Sequence, residues 1–429
     1  MEVLDNFLYD TDHENQIIML HPESQRIQNG VEKCVSMILD SVMAQNKRYK
    51  GHIIGAGSAF DALKVGKPNE YDFNFVLEAF VYGENFTVQP SGFNGQRNLW
   101  RTPAGSPAFK KIHLINDEFA AEWFGDGRVF NIGVKGKPEY ILSQVGVKNE
   151  FVDLVNKSLK ELTPPRGFSI CGIVDMSGPA VSIDLIWFGR KFKELTVNVD
   201  ISIAIEIPPH ASGVKPLTIF KEDHFLYEVM LEYEKSGYCY TLVPFVSGDK
   251  PSNCWRVSTG YLESFIFSAF NRNSKKKGLL RVAKHIKSLI QLDKVDWNRI
   301  TAFPEEYLCF EFSSYTLKHA VLHMVRDIPT LNFNTESVAD RYIDMLLFLY
   351  KSVKKGYVEN FFFPRHRIKV PDFDDCMFGF FSILSLIKEI FDKNQVNEQE
   401  KTTIWRKLEP IYQNITVYYE HWIVDEEYK

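Results

Sequence analysis

Residues 70–75, Glu-Tyr-Asp-Phe-Asn-Phe, constrain the fold more than any other stretch of the chain. Side chains two apart on a strand point to one face, so Glu70, Asp72 and Asn74 face one way while Tyr71, Phe73 and Phe75 face the other. The aromatic row fixes the register, because a slip of one residue would bury the acids. Two carboxylates held side by side suit divalent cations bound through oxygen. Just upstream, the Gly57-Ser58 turn offers backbone N–H groups and a hydroxyl to phosphates.

A second alternating segment repeats the design. Val197, Val199, Ile201, Ile203, Ile205 and Ile207 form an apolar face, and Asn198, Asp200, Ser202, Ala204 and Glu206 form the opposite one. Asp200 is therefore displayed on a polar face as Glu70 and Asp72 are. If the two strands are neighbours, three carboxylates converge. Alone, each of these features reads as a solvated strand face; together they point to metal chemistry.

The rest of the chain bounds that reading. Its 429 residues allow two lobes or two to three domains with a large core. Charged residues at 24% and hydrophobic ones at 45% are ordinary for a soluble protein, and the 34 Phe read as core. A formal net charge of −5 excludes a wholly basic nucleic-acid binder, so any such contact needs a local patch. The six cysteines are scattered without a CxxC pair, which fits reduced core thiols better than disulfides or a zinc cluster. The acidic start Met1-Glu2-Val3-Leu4-Asp5 lacks the pattern of a signal peptide, and no window is long and apolar enough to span a bilayer. A cytoplasmic (cytosolic) or nuclear location without membrane contact is expected.

Residues up to about Leu20 read as loosely structured. From Pro22, the spacing of Ile27, Val31, Val35, Ile38 and Val42 predicts a long amphipathic helix that stops at Gly51. A short strand over 52–56 follows, then the acidic strand, a Gly/Pro/Asn-rich loop over 90–107, and a helix over 150–161. Strands are expected over 168–175, 180–188 and 197–207. Pro208-Pro209 and Gly213 to Pro216 mark the expected boundary, giving units 1–215 and 216–429. Beyond it helices are expected over 257–268, 279–292, 313–326, 337–355, 375–393 and 397–417. The fold class is thus mixed α/β (α+β): a mixed central sheet with a long N-terminal helix, then a C-terminal helical lobe.

Two further clusters have plain alternatives. His319 and His323 sit one helical turn apart, but without the Glu of H-E-x-x-H or a cysteine pair they read as core or surface histidines. The run Arg272, Lys275, Lys276, Lys277 reads as a solvated loop or as a phosphate-backbone contact indifferent to base sequence.

In order along the chain, Gly57-Ser58, Pro68-Asn69-Glu70-Tyr71-Asp72, Gly178-Pro179-Ala180-Val181, Val199-Asp200-Ile201, Trp255-Arg256-Val257-Ser258 with Glu263, Ser313-Ser314-Tyr315 and Glu359-Asn360-Phe361-Phe362-Phe363-Pro364 resemble the motifs of the cyclic GMP–AMP synthase-like receptors, nucleotidyltransferases of the male-abnormal-21 group. The resemblance runs from about Gln16 to Phe363. It implies a bilobed nucleotidyltransferase fold with a spine helix, and ligand-gated synthesis of a cyclic dinucleotide from ATP and GTP. By position, Glu70, Asp72 and Asp200 would be catalytic and hold two Mg2+ or Mn2+ ions. Gly57, Ser58, Lys284 and Ser314 would meet donor phosphates, Tyr315 would stack on a base, and Arg256, Ser258 and Glu263 would line the acceptor side. DNA-sensing members carry a His/Cys zinc thumb after the segment matched by Ser258 to Glu263. Here that stretch has no cysteine, so no zinc is expected and double-stranded RNA is favoured over DNA as activator, with a ligand-dependent dimer conceivable. Lys47, Arg48 and Lys50 would join Arg272 and Lys275 to Lys277 in gripping the duplex. Two alternatives stand beside this: a catalytically silent scaffold of the same group, and a linear oligonucleotide synthetase.

Overall fold

In the computed structural model, which describes residues 2–91, 107–125, 127–133, 138–175, 178–222, 224–245, 253–271, 274–291, 312–328, 337–364, 366–370 and 373–427, the chain opens with two helices, α1 (Glu2–Leu20) and α2 (Pro22–Gln45). The expected loose N-terminus is thus a helix. Its buried positions are Leu4, Leu8, Thr11 and Asn15, and the two polar residues among them disguise the apolar stripe. Asn15 is satisfied by donating to the Thr11 carbonyl at 2.8 Å. The second helix starts as expected, with Pro22 in its first turn and His21 accepting from the Glu23 N–H, but it ends at Gln45 rather than running on to Gly51, because Asn46 caps a separate 3-10 turn over Lys47–Tyr49.

Strands and helices then alternate irregularly: β1 (Gly51–Ala56), the single turn α3 (Gly57–Phe60), β2 (Glu70–Leu77), β3 (Phe86–Pro90), β4 (Phe109–Leu114), α4 (Asp117–Trp123), β5 (Val129–Asn131), β6 (Tyr140–Leu142) and α5 (Gln144–Glu161). Next come β7 (Phe168–Asp175), β8 (Ala180–Trp187), β9 (Leu195–Ile207), α6 (Pro209–Ser212), α7 (Phe225–Lys235), β10 (Tyr240–Pro244), β11 (Trp255–Ser258) and α8 (Gly260–Ala269). The expected loop over 90–107 lies almost wholly outside the described residues. Where one helix was expected over 257–268, β11 and α8 meet. Trp255 and Val257 are buried while Arg256 and Ser258 are half-buried, a strand alternation too short to register in a helical window.

Among the described residues these strands join one 11-stranded sheet, in which β9 lies between β2 and β10 and also pairs with β8. β2 runs parallel to β9, while β8 and β10 run antiparallel to it. One face of the inner strands, Tyr71, Phe73, Phe75, Val181, Ile183, Val199, Ile201 and Ile203, is buried. Glu23 of α2 reaches the turn between β8 and β9. Its carboxylate accepts from the Trp187 indole at 3.1 Å and from the backbone N–H groups of Arg190, Lys191 and Phe192 at 3.2, 3.1 and 2.9 Å. Burial alone would raise its pKa, but these four donors, Phe192 foremost, pull it down to about 2.

The remaining elements are α9 (Lys275–Gln291), α10 (Ser314–Asp327), α11 (Val338–Lys355), the hairpin β12 (Tyr357–Glu359) and β13 (Arg367–Lys369), α12 (Phe373–Lys393) and α13 (Glu398–Glu427). The compact units run Ile18–Ala269, which holds the large sheet, and Met1–Ile17 with Phe270–Lys429. The division therefore falls after Ala269 rather than at 215/216, because β10 and β11 keep the chain paired to the sheet beyond Pro216. In the helical unit Arg281, 1% exposed, is paired with Asp12 through contacts of 2.5 and 2.8 Å. No helix among the described residues is long and apolar enough to cross a membrane.

Candidate active site

The register of two parallel strands organises the site. Asp72 on β2 is the direct partner of Asp200 on β9, and Glu70 is the partner of Asn198. Across β9 the rows continue to Ser182 and Asp184 on β8. Paired residues on adjacent strands share a face, so Glu70, Asp72, Asn198, Asp200, Ser182 and Asp184 form one polar surface on the side opposite the apolar core. Asp72 and Asp200 are half-buried, and Glu70 is 56% exposed.

Each acid has a specific neighbour. The Ser182 hydroxyl donates to Asp200 Oδ1 in a short hydrogen bond, and Asn198 donates to Asp184 at 3.1 Å. Glu70 Oε2 accepts from Lys64 Nζ at 2.6 Å. Asp72 lies against Gly57, so closely that a Cβ on Gly57 would stand 2.0 Å from its Oδ2. Gly57 also has φ +74°, a backbone state that favours glycine. The turn and the acidic strand, 15 residues apart in sequence, are therefore in contact, and only glycine fits between them. Phe60 fastens the turn from beneath through edge contacts with Tyr71 and Phe73, at centroid distances of 6.4 and 5.3 Å.

The carboxylates are hard oxygen donors and fit Mg2+ or Mn2+ rather than a softer ion. Among the described residues no three His, Cys, Asp or Glu side chains already stand as a metal-holding group; Glu70 is turned onto Lys64 instead.

The other expected site residues fall in two sets. In the sheet unit, Arg256 and Ser258 lie on the half-exposed face of β11, opposite Val243 and Thr241. Ser58 is half-buried in α3. Glu263 is 5% exposed and accepts from the Thr259 hydroxyl at 2.7 Å. In the helical unit, Lys284 is half-buried on α9, and Ser314 is exposed at the start of α10, whose cap is Ser313. The Tyr315 hydroxyl accepts from Asn360 at 2.9 Å, and its ring meets His319 edge-on at 4.3 Å. Asn360 also holds the chain's turn by accepting from the N–H groups of Phe362 and Phe363.

The histidine pair is structural. His319 Nδ1 accepts from the Phe361 N–H at 2.9 Å, and burial, followed by the nearby His323, Lys318 and His366, holds its pKa well below the usual imidazole value. His323 Nε2 meets the Glu359 carbonyl at 2.8 Å.

The basic run at 275–277 differs from the solvated loop that is one reading of the sequence. Lys275 to Lys277 form the first turn of α9; Lys276 and Lys277 are buried, with Lys276 over the Phe270 ring at 5.2 Å. Burial lowers the Lys276 pKa. Amphipathic spacing explains this: the run continues directly into Leu279 and Leu280, so the helix starts inside it. Arg272 lies outside the described residues. Arg48 is engaged by Glu150 at 2.5 Å and by the Glu122 carbonyl at 2.7 Å, and Lys50 by Glu78 at 3.3 Å. Lys47 is exposed.

Sequence reasoning put Asn198 on the polar face with Asp200 but missed Lys64, Ser182 and Asp184 as members of the acidic face. The alternation Val181-Ser182-Ile183-Asp184 carried a signal for the β8 pair, though only the register joins it to Asp200. Nothing in the sequence marks Lys64.

No protein-family model matches the sequence. The chain is similar to a cyclic GMP-AMP synthase-like receptor of Microplitis demolitor, 22% identical over 306 residues, which cover 70% of this chain and 52% of that protein. It thus spans about half the length of the curated relative it matches. The mixed α/β sheet with C-terminal helices is consistent with a nucleotidyltransferase fold.

Proposed function

Starting from that similarity, we propose that the chain is a metal-dependent nucleotidyltransferase that joins ATP and GTP into a cyclic dinucleotide, is switched on by double-stranded RNA, and works in the cytoplasm. The observation that carries the reading is the pairing of Asp72 with Asp200 across β2 and β9, with Glu70 on the same face. Two carboxylates in register on neighbouring strands repel one another and cost stability unless positive charge answers them. A scaffold has no use for that cost.

Glu70, Asp72 and Asp200 are the residues that would hold two Mg2+ or Mn2+ ions. Bound there, such ions supply neutralisation of a triphosphate and a lowered pKa for an attacking ribose hydroxyl. The chain's own residues do the rest. Ser182 fixes the orientation of Asp200. Gly57 brings the α3 backbone against Asp72, and its N–H with Ser58 next in line would meet the donor phosphates. Within the helical unit taken by itself, Tyr315 offers a flat face for a base, held by Asn360, and Lys284 and Ser314 would serve as phosphate contacts. Arg256 offers a planar donor fork to the acceptor nucleotide, with Ser258 and Glu263.

The RNA contact is proposed for the exposed Lys47 and for Lys275, with Arg48, Lys50, Arg272, Lys276 and Lys277 as secondary members. A duplex gripped through phosphates is bound by shape and charge, whatever its sequence. Reversing Lys47 and Lys275 to Glu avoids the buried Lys276 and should abolish RNA-stimulated synthesis with folding intact; unchanged stimulation rejects this part of the reading.

The test of the whole is chromatography of products from labelled ATP and GTP with Mg2+ or Mn2+ and a panel of RNA and DNA duplexes, beside an Asp72→Asn control. A cyclic product that needs Asp72 supports the reading. A linear ladder points to an oligonucleotide synthetase, and no product under any duplex points to a scaffold.

A further inference from the structure

The side chain that meets Glu70 is itself unusual. Lys64 is only 7% exposed, yet its Nζ lies 2.6 Å from the carboxylate of a residue that is 56% exposed. A buried ammonium is thus aimed outward at the acidic face. The turn that carries it is firmly held. Leu63 is fully buried and its N–H donates to the Ser58 carbonyl at 2.9 Å. Asp61 accepts from the Ser264 hydroxyl at 2.5 Å. Between these two anchors Ala62 adopts φ +57°, the left-handed state that is costly for an L-residue other than Asn or Asp. The Lys64 turn is therefore held in a strained form, which a rearranged form need not share.

We propose that Lys64 is a built-in latch on the acidic face: its ammonium occupies Glu70, so a divalent cation completes its ligand set only by displacing Lys64. The inference rests on the reading of Glu70, Asp72 and Asp200 as the cation site and adds to it the element that keeps the site closed. Lysine and cation compete for one carboxylate, and whatever moves the 61–66 turn shifts the balance. Strain at Ala62 biases the turn toward release, and the Lys64–Glu70 contact opposes it.

The test is a Mn2+ titration by calorimetry on the full chain, without nucleotide or RNA, for the unaltered protein, Lys64→Gln, Lys67→Gln and Asp72→Asn, with RNA-independent synthesis measured alongside. Lys67 is exposed on the same loop and controls for net charge. Lys64→Gln should bind Mn2+ roughly ten-fold more tightly, the scale of losing a charged hydrogen bond, and should raise synthesis in the absence of RNA. Lys67→Gln should change affinity by no more than about two-fold, the scale of an exposed charge. Lys64→Met, which keeps the buried stem, serves if Lys64→Gln unfolds. Equal or weaker Mn2+ binding in both Lys64 variants overturns the latch, as does an equal gain in Lys67→Gln. Reduced synthesis with unchanged Mn2+ affinity would give Lys64 to the nucleotide phosphates and likewise overturns it. Should no Mn2+ binding be removed by Asp72→Asn in any background, the cation site itself fails, and the latch with it.

Discussion

Glu23 and the Glu70–Asp72–Asp200 face belong to the same unit and touch the same sheet, yet their acids are treated in opposite ways. The Glu23 carboxylate is buried and meets four fixed donors, three of them backbone N–H groups. Those donors cannot move away, so the charge is permanently satisfied and its pKa sits at about 2. Of the acids on β2 and β9, Glu70 is exposed and Asp72 and Asp200 are half-buried, and the partners seen for them include movable side chains, Lys64 and the Ser182 hydroxyl. One arrangement ties a helix to a turn. The other leaves carboxylates able to change partners, which a cation-binding face requires.

Substitution should separate the two. The largest effect is expected for Asp72→Asn and Asp200→Asn, each lowering product formation by about a thousand-fold, the rate equivalent of roughly 4 kcal/mol, with the melting temperature little changed or raised. Glu23→Ala should do the reverse: a loss of about 3 kcal/mol in stability by denaturant unfolding, since buried donors are left unpaired, with activity per folded molecule retained. Equal effects on activity in both places would break the comparison.

Acid sharpens it further. A carboxylate whose folded pKa is depressed stabilises above its unfolded value and loses that contribution as pH falls through the folded one. For Glu23 the contribution is complete above about 4.5 and fades as pH falls toward about 2. Stability measured against pH should therefore fall less steeply below 4.5 in Glu23→Gln than in the unaltered protein.

Smaller effects are expected around the acids. Gly57→Ala places a methyl on the Asp72 carboxylate at a positive φ and should cost activity by about 2 kcal/mol, or thirty-fold. Ser182→Ala removes one donor to Asp200 and should cost about 1 kcal/mol, roughly five-fold. A thermal melt distinguishes either from unfolding.

Alternation made much of this site legible. The opposed faces of 70–75 and 197–207 could be read directly, because a half-buried strand writes its environment every second residue. What placed Asp72 beside Asp200, however, was the parallel register, a long-range property with no local signature. Glu23 escaped notice because an acid in a first helical turn reads as a solvated N-terminus. The helix α1 escaped because Thr11 and Asn15 occupy buried positions on its inner face. Lys275 to Lys277 looked like a loop since three consecutive lysines seldom start a buried helix.

The central claim is that Glu70, Asp72 and Asp200 share cations beside a nucleotide. Anomalous scattering at the manganese edge, from crystals of the protein grown with Mn2+ and a non-hydrolysable ATP analogue, tests it most directly. The expected result is manganese between Asp72 and Asp200, with Glu70 turned away from Lys64 toward the metal. Manganese held by other residues, with Glu70 still on Lys64 and both aspartates uncoordinated, would contradict the account.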